Sequence, residues 1–180
     1  MKFTMFEKQT HSVKTKMATV IASVILAVAL PWMFHALGRV LNIGTSAGEI
    51  FLPMHFPVML AGFLAGPAAG LTAGILSPVI SFMITGMPAS LMLPFIAVEL
   101  AVYGAVSGVV SNVRMNGTLK VLAVQTAGRA IRAAVILFAV YALSSKVNAH
   151  IIYTSIITGI PGIALQLLII PQLVKKMKNE

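Results

Sequence analysis

The sequence predicts an all-α membrane protein with six transmembrane helices and with both termini in the cytoplasm. Only 9% of the 180 residues are charged and 58% are hydrophobic, whereas about 25% of the residues of a soluble domain are charged. The apolar residues form stretches long enough to cross a lipid bilayer. When six helices are drawn through these stretches, most basic residues fall on one side of the membrane.

The first predicted helix spans residues 17–37 and follows a basic segment, residues 1–16. This segment could pass for the start of a signal peptide. The apolar stretch after it is too long for one, and no small-residue cleavage site stands apart from it. We therefore expect a mature helix that is preceded by a cytoplasmic N-terminus.

The second and third helices come from one apolar stretch, residues 50–88, in which an Ala-Gly pair recurs every four residues from 61 to 74. As a single helix the stretch would be roughly 58 Å long, against about 30 Å for the hydrocarbon core. Two helices fit, with Pro67 and Gly70 at the turn between them. Small residues at this spacing let helices approach closely in lipid, so the pattern predicts a tight hairpin. The two helices are expected over 53–66 and 70–85.

The last three helices are expected over 91–110, 119–143 and 151–174. Residues 17–174 are expected to form one transmembrane domain, because the length of the chain fits a single domain. Residues 175–180 form a basic cytoplasmic tail.

The distribution of basic residues predicts the orientation. Nine of them share one side of the membrane: Lys2, Lys8, Lys14, Lys16, Arg114, Lys120, Lys175, Lys176 and Lys178. The opposite side has only Arg39 and Lys146. The positive-inside rule therefore places both termini in the cytoplasm of a multi-pass cell-membrane protein. The same rule accounts for the net charge of +9, so that charge does not indicate a nucleic-acid partner.

Two arginines and one glutamate lie inside the predicted helices, namely Arg129, Arg132 and Glu99. Such groups are costly in a bilayer and usually face a cavity or a partner. At about 1.5 Å per residue, Glu99 and Arg132 both lie roughly 18 Å above the inner face, so they can meet. Tyr103 follows Glu99 by one helical turn, and Gln125 precedes Arg129 by one turn.

These five residues are candidates for a ligand site. One glutamate can neutralise only one of the two arginines, which leaves a net positive charge. Such a site suits a monoanionic ligand, since a guanidinium binds a carboxylate through two parallel hydrogen bonds. The alternative is a structural ion pair, with the second arginine reaching the interface or capping the backbone.

Two weaker candidates are His55, at the outer start of the second helix, and Asn148, in the last outer loop. His55 either lines the mouth of a cavity or lies at the membrane interface. The sequence has no aspartate, no Ser-His-acid set, no cluster of histidine and carboxylate ligands and no phosphate loop. It also has no cysteine. We therefore expect no catalytic residue, no metal and no cofactor.

Two segments, "FLPMHFPVMLAGFLAGPAAGLTAGILSPVISFMITGMP" and "ELAVYGAVSGVV", resemble the S components of energy-coupling factor (ECF) vitamin transporters, which are their substrate-binding membrane subunits. The resemblance covers residues 17–174. It implies six helices with cytoplasmic termini, a vitamin as ligand and no ATPase of its own. The implied partners are a transmembrane coupling subunit and two ATPase subunits.

The resemblance also implies a docking element on the first helix. The family carries an Ala-x-x-x-Ala pattern there that docks on the coupling subunit, and Ala18 and Ala22 match its spacing. Small residues four apart allow two helix backbones to approach closely. Packing within the bundle is the alternative role for this pair.

Charge and aromatic content narrow the choice among the vitamins that the resemblance implies. The excess of arginine inside the helices favours an acid, and the low aromatic content of 7% disfavours flat fused rings, which need stacking partners. Pantothenate is therefore the leading expectation. Folate follows among the acids, and a pyridoxine or hydroxymethylpyrimidine type would use Glu99 as its anchor. Two alternatives of other classes are a lipid-modifying membrane enzyme, with Glu99 as general base, and a structural membrane protein.

Overall fold

The structure is a computed structural model that describes residues 12–40, 42 and 46–179, with only the backbone of residues 46, 47 and 179. The described residues form eight helices and no strand. The helices are α1 (Val13–Val40), α2 (Ser46–Phe51), α3 (His55–Ala65), α4 (Pro67–Thr85), α5 (Leu93–Ser111), α6 (Gly117–Ala142), α7 (Ile151–Thr158) and α8 (Ile160–Asn179).

In the described part of the chain, six segments are long and apolar enough to cross a membrane. Five of them lie in the single helices α1, α4, α5, α6 and α8, and the sixth, Gly48–Ala65, joins α2 to α3. These findings confirm the predicted all-α fold and its six spans. The orientation of the termini stays a prediction, and most of the basic segment 1–16 lies outside the described residues.

A tight turn joins α3 to α4. Gly66 has φ 91°, a backbone conformation that a side chain would strain. Pro67 follows as the first residue of α4, where its fixed φ suits the helix and its missing N–H has no helical partner to lose. The turn thus lies at Gly66 and Pro67. The prediction that Gly70 also marks it was wrong, because Gly70 lies inside α4.

The alanine–glycine pattern packs α3 and α4 against α5. A Cβ atom on Gly62 would collide with the carbonyl oxygen of Gly104. Gly70 and Gly104 face each other so closely that a Cβ on either would collide with the backbone of the other. Gly74 meets the Leu100 carbonyl group in the same way. The small residues therefore pack the α3–α4 hairpin closely against α5, in addition to packing its two helices against each other.

Helix α2 lies in what the sequence predicts to be an outer loop, residues 38–52. It packs on α1, where the rings of Phe34 and Phe51 have centroids 5.2 Å apart and Gly48 faces the imidazole of His35 closely. A helix of six residues is too short for hydrophobic periodicity to reveal, so these tertiary contacts are what stabilise it.

The predicted helix 151–174 is two helices, α7 and α8, with Gly159 between them. Pro161 lacks the N–H that would bond to the carbonyl group of Ile157 in a continuous helix, which explains the break. Helix α8 extends to Asn179, so the basic tail continues this helix. Only α8 is long enough to span a membrane, and α7 is a short helix beside it.

The main buried core lies where α3, α5, α6 and α8 meet. It includes Met59, Leu100, Tyr103, Val124 and Ile170, all of them fully buried. Helix α1 covers one side of α3 and α4 and leaves its other side exposed. At the end of the bundle that contains α2 and the α4–α5 loop, the helices diverge around a cavity.

Candidate functional site

The cavity has a volume of about 970 Å³, within the range of about 300–1,000 Å³ usual for small-molecule sites. Its walls come from α1, α2, the bend between α2 and α3, α4, α5, α6 and α7. Most of the lining side chains are apolar, with a few polar and ionisable groups among them. Such a lining is typical of a ligand-binding site.

Glu99 and Arg132 form an ion pair in the wall of this cavity. Arg132 Nη1 lies 2.9 Å from Glu99 Oε2, and Glu99 is fully buried. The two side chains thus meet, as the sequence allows, and their depth in the bilayer stays a prediction. Among the described residues, Arg132 Nε has no hydrogen-bond partner. The guanidinium therefore keeps a buried donor that its glutamate does not use.

Tyr103 and Gln125 lie behind Glu99, in the core. The Tyr103 hydroxyl is 3.0 Å from Glu99 Oε1 and 3.1 Å from Gln125 Oε1. A hydroxyl has one proton, so it donates to one of these two acceptors at a time. Gln125 in turn donates to Gln166 on α8. Tyr103 and Gln125, which the sequence predicts as ligand contacts, thus support Glu99 and do not line the cavity.

His55 lines the cavity at the start of α3 and is only 7% exposed. Its Nε2 lies 3.8 Å from Glu99 Oε2, which is too long for a hydrogen bond. In the described part of the chain neither imidazole nitrogen has a hydrogen-bond partner. The sequence allowed His55 either at a cavity or at the membrane interface, and in the structure it lies in the cavity wall.

Arg129 lies apart from the cavity. Its Nη1 donates to the Ser155 carbonyl oxygen at 3.4 Å, while Nε and Nη2 have no partner among the described residues. With Glu99 and Arg132 it borders a separate pocket too small for a vitamin. The structure thus distinguishes the two arginines, since Arg132 faces the cavity and Arg129 lies behind the ion pair.

Asn148 is not part of the cavity. Its side chain is exposed, and its Oδ1 accepts a hydrogen bond of 2.9 Å from the backbone N–H of His150. Asparagine commonly stabilises a turn in this way, which explains why a polar residue occurs just before α7. The structure therefore does not bring Asn148 together with the other predicted site residues.

Ala18 and Ala22 lie on the exposed side of α1 and contribute nothing to the cavity lining. The buried residues of this half of α1 are Ser23, Val24 and Ala27. The predicted alternative, in which the two alanines pack within the bundle, is therefore not what the structure shows. Their role in docking stays a prediction.

Sequence reasoning missed several residues of the site. Trp32, which fits an aromatic belt at the membrane interface, lines the cavity, as do His35 and Arg39. These three residues recur at intervals of three and four along α1, the spacing of one helix face. Gln166 was also missed, although it is a lone amide in the apolar run "IALQLLII" and is 1% exposed.

The site can recognise a ligand by charge, by hydrogen bonds and by apolar contact. One wall carries the Glu99–Arg132 pair and the buried imidazole of His55, and the indole of Trp32 lies on α1. Among the residues that the structure describes, no group of three or more His, Cys, Asp or Glu side chains could hold a metal ion.

A protein-family model described as "ECF transporter, substrate-specific component" matches residues 12–174. The match includes five of the six candidate spans completely and the sixth, in α8, as far as residue 174. No curated protein and no solved structure matches the chain.

Proposed function

Because the chain belongs to the family of substrate-specific components of ECF transporters, we propose that its cavity binds a vitamin and that the vitamin is pantothenate. Proteins of this family are the substrate-binding subunits of membrane importers. The site described above is a large cavity in the described part of the chain. The choice of pantothenate depends on the charges and the shape of that cavity.

The observation that carries the proposal is the excess of positive charge around Glu99. Arg132 and Arg129 both border the same small pocket beside this single carboxylate. Arg132 also reaches the cavity and keeps its Nε free among the described residues. A ligand carboxylate at Arg132 would restore neutrality and would satisfy a buried donor. Pantothenate carries one carboxylate, which matches this balance.

The apolar lining supports a flexible, mainly aliphatic acid. Trp32 is the only Phe, Tyr or Trp side chain that lines the cavity among the residues described. A fused aromatic ring gains from stacking on large aromatic side chains, and Trp32 is the one such side chain in the described lining. Folate, the other acid among the expected vitamins, therefore fits less well than pantothenate. Hydroxyl and amide groups of the ligand can bond to His55 and to Ser81, which also line the cavity.

A second candidate is a small ring vitamin such as pyridoxine or hydroxymethylpyrimidine. The presence of Trp32 in the cavity wall favours it, because one indole is enough to stack on one small ring. Glu99 would then accept hydrogen bonds from the ring substituents, and Arg132 would remain its counter-ion. In this case the arginines stabilise Glu99 and make no direct contact with the vitamin.

The family also supplies the partners. Substrate-specific components work with an energising module, for which we propose the transmembrane coupling subunit and two ATPase subunits. The exposed pair Ala18 and Ala22 would meet the coupling subunit, since a small-residue surface lets another helix approach closely. Both termini would face the cytoplasm, where the ATPases act.

The first test is to purify the full-length protein in detergent without added vitamin and to identify any co-purifying small molecule by denaturing mass spectrometry. Titration with pantothenate follows, read by the fluorescence of Trp32, the single tryptophan of the chain. Co-purified pantothenate, or its saturable binding, supports the proposal. Pyridoxine or hydroxymethylpyrimidine in its place would support the second candidate and remove the direct role of Arg132. No binding of any vitamin in a panel would contradict both.

A further inference from the structure

A chain of buried polar side chains leads from the cavity wall to the bend between α2 and α3. It starts at Glu99 and passes through the Tyr103 hydroxyl to the amide of Gln125. Gln125 donates to Gln166, and Gln166 Nε2 donates to the Leu52 carbonyl oxygen at 3.2 Å. Gln125 and Gln166 are only 2% and 1% exposed. Both amides are thus shielded from competing water, which makes their orientation well defined.

Leu52 needs such support. Its φ is 49°, in the left-handed region that residues with a side chain rarely adopt. Conformations of this kind persist where the surrounding structure holds them. The Leu52 carbonyl oxygen accepts a second hydrogen bond, of 3.1 Å, from the backbone N–H of His55. The carbonyl is therefore fixed from α8 by Gln166 and from α3 by His55.

The position of this bend matters to the cavity. Leu52 connects α2 to α3, and Gly48 and Glu49 of α2 line the cavity. On the other side of the bend, His55 lines the same cavity. A change in the direction of the Leu52 carbonyl would therefore move wall residues on both sides of it.

We propose that Gln166 is a positioning residue for this site, which holds the Leu52 bend and thereby places α2 and His55 around the ligand. The inference rests on the proposed function only in taking the cavity to be the substrate site. Gln166 does not touch the cavity. It acts through the Leu52 carbonyl, and the Gln125 amide fixes its own orientation.

Three variants separate this role from a general loss of stability. Gln166→Met keeps the length of the side chain and removes both of its hydrogen bonds. Gln125→Met removes the support of Gln166 and leaves the bond from Gln166 to Leu52 possible. Ser77→Ala is the matched control, because it removes a buried hydrogen bond of 2.6 Å to the Ala73 carbonyl in α4, outside the polar chain.

The first readout needs no vitamin. Hydrogen–deuterium exchange of the full-length protein, followed by mass spectrometry, reports on peptides that cover residues 46–55. Gln166→Met is expected to speed exchange there about fivefold, the effect of losing one buried hydrogen bond. Gln125→Met should give a smaller rise, and Ser77→Ala should leave this segment within about twofold of wild type. Equal exchange in Gln166→Met and Ser77→Ala overturns the proposal.

The second readout is the dissociation rate of pantothenate, followed by Trp32 fluorescence. Gln166→Met is expected to speed dissociation about fivefold or more, because the cavity-wall residues on both sides of the Leu52 bend are no longer held in place. Ser77→Ala is expected to leave the dissociation rate unchanged. Faster exchange at 46–55 with an unchanged dissociation rate would overturn the role in ligand retention. If wild-type protein does not bind pantothenate, the proposed vitamin fails, and the vitamin-free exchange still decides whether Gln166 holds the bend.

Discussion

Helices α4 and α5 touch in one half of their length and separate in the other. In the first half Gly70 and Gly104 bring the two backbones into contact. In the second half Ser81 and Thr85 of α4 and Ile96 of α5 line the cavity. The difference teaches that glycine marks where α4 and α5 are in backbone contact, because a helix face without side chains lets another helix approach most closely in lipid.

The ion pair lies at the boundary between these two halves. The carbonyl group of Leu100 still touches Gly74, whereas Glu99, the residue beside it, lines the cavity and binds Arg132. The charged groups are thus placed where close packing stops. This position leaves Glu99 buried while its partner Arg132 still faces open space.

The largest effect is expected where the backbones touch. Gly104→Val would place a branched side chain against the backbone of Gly70, which cannot move aside as a flexible side chain could. We expect the free energy of unfolding to fall by at least about 3 kcal/mol. Thermal unfolding in detergent, followed by Trp32 fluorescence, measures this loss.

The control for this variant is Ala68→Val, which adds a similar side chain on the exposed face of α4. It should change the free energy of unfolding by less than about 0.5 kcal/mol. Equal stability of the Gly104→Val and wild-type proteins would mean that α4 and α5 are not held by backbone contact.

The next effect concerns affinity at the boundary. Removing both charges together, in Glu99→Gln with Arg132→Met, avoids leaving one buried charge without its partner. We expect a protein that folds and binds pantothenate more weakly by about 2 kcal/mol, the value of a charge-assisted hydrogen bond. Titration by Trp32 fluorescence measures the change.

Arg129→Met is the matched comparison, since Arg129 does not line the cavity. It should weaken binding by less than about fivefold, through the loss of a charge that acts only at longer range. A doubly substituted protein that binds pantothenate as tightly as wild type would overturn the carboxylate site.

A smaller effect is expected in the cavity half of α4. Thr85→Val keeps the shape of the side chain and removes two hydrogen bonds, one of 2.7 Å to the Ser81 carbonyl and one of 3.2 Å from the exposed Met87 N–H. We expect a loss of less than about 1 kcal/mol in the free energy of unfolding, measured as for Gly104→Val. A loss as large as that of Gly104→Val would show that the two halves of the α4–α5 pair are equally constrained, which would contradict the difference described above.

The smallest effect on the isolated protein is expected on the exposed side of α1. Ala22→Leu should leave stability and pantothenate affinity unchanged within about 0.5 kcal/mol, because Ala22 is exposed. It should nevertheless block co-purification with the coupling subunit and vitamin uptake by cells. Ile21→Leu, which keeps the side-chain volume at an exposed position next to Ala22, is the control. Lost pantothenate binding in Ala22→Leu would place this face in the site.

Much of the fold was predictable because lipid imposes strong rules on a sequence. Hydrophobic length gave the number of spans, and the Ala-Gly pattern around Pro67 gave the tight hairpin. Helix α2 and the break at Gly159 were not predictable in the same way. The first depends on contacts with Phe34 and His35 of α1. The second follows from Pro161, but Pro31, Pro78 and Pro171 lie inside continuous helices, so a proline alone does not reveal where a helix breaks.

The contact between Glu99 and Arg132 was predictable from the sequence, whereas the direction in which each helix points its side chains was not. Counting residues along two helices placed Glu99 and Arg132 at one level, and they do meet. Counting cannot give the rotation of each helix about its axis. For this reason Arg129 could not be distinguished from Arg132, and Gln166, the partner of Gln125, was not foreseen.

The glycine contacts also have a mechanical consequence. Where the backbones of Gly70 and Gly104 interlock, α4 cannot slide along α5 unless the two helices first move apart. Helix α2 has a similar contact, because Gly162 of α8 lies directly against the backbone of Ile50 and Phe51. Helix α7 has no such glycine contact among the described residues and packs mainly on α2 and α8. The cavity therefore has a stiff side and a compliant side, and we expect the fluctuations of its wall to be largest in α7.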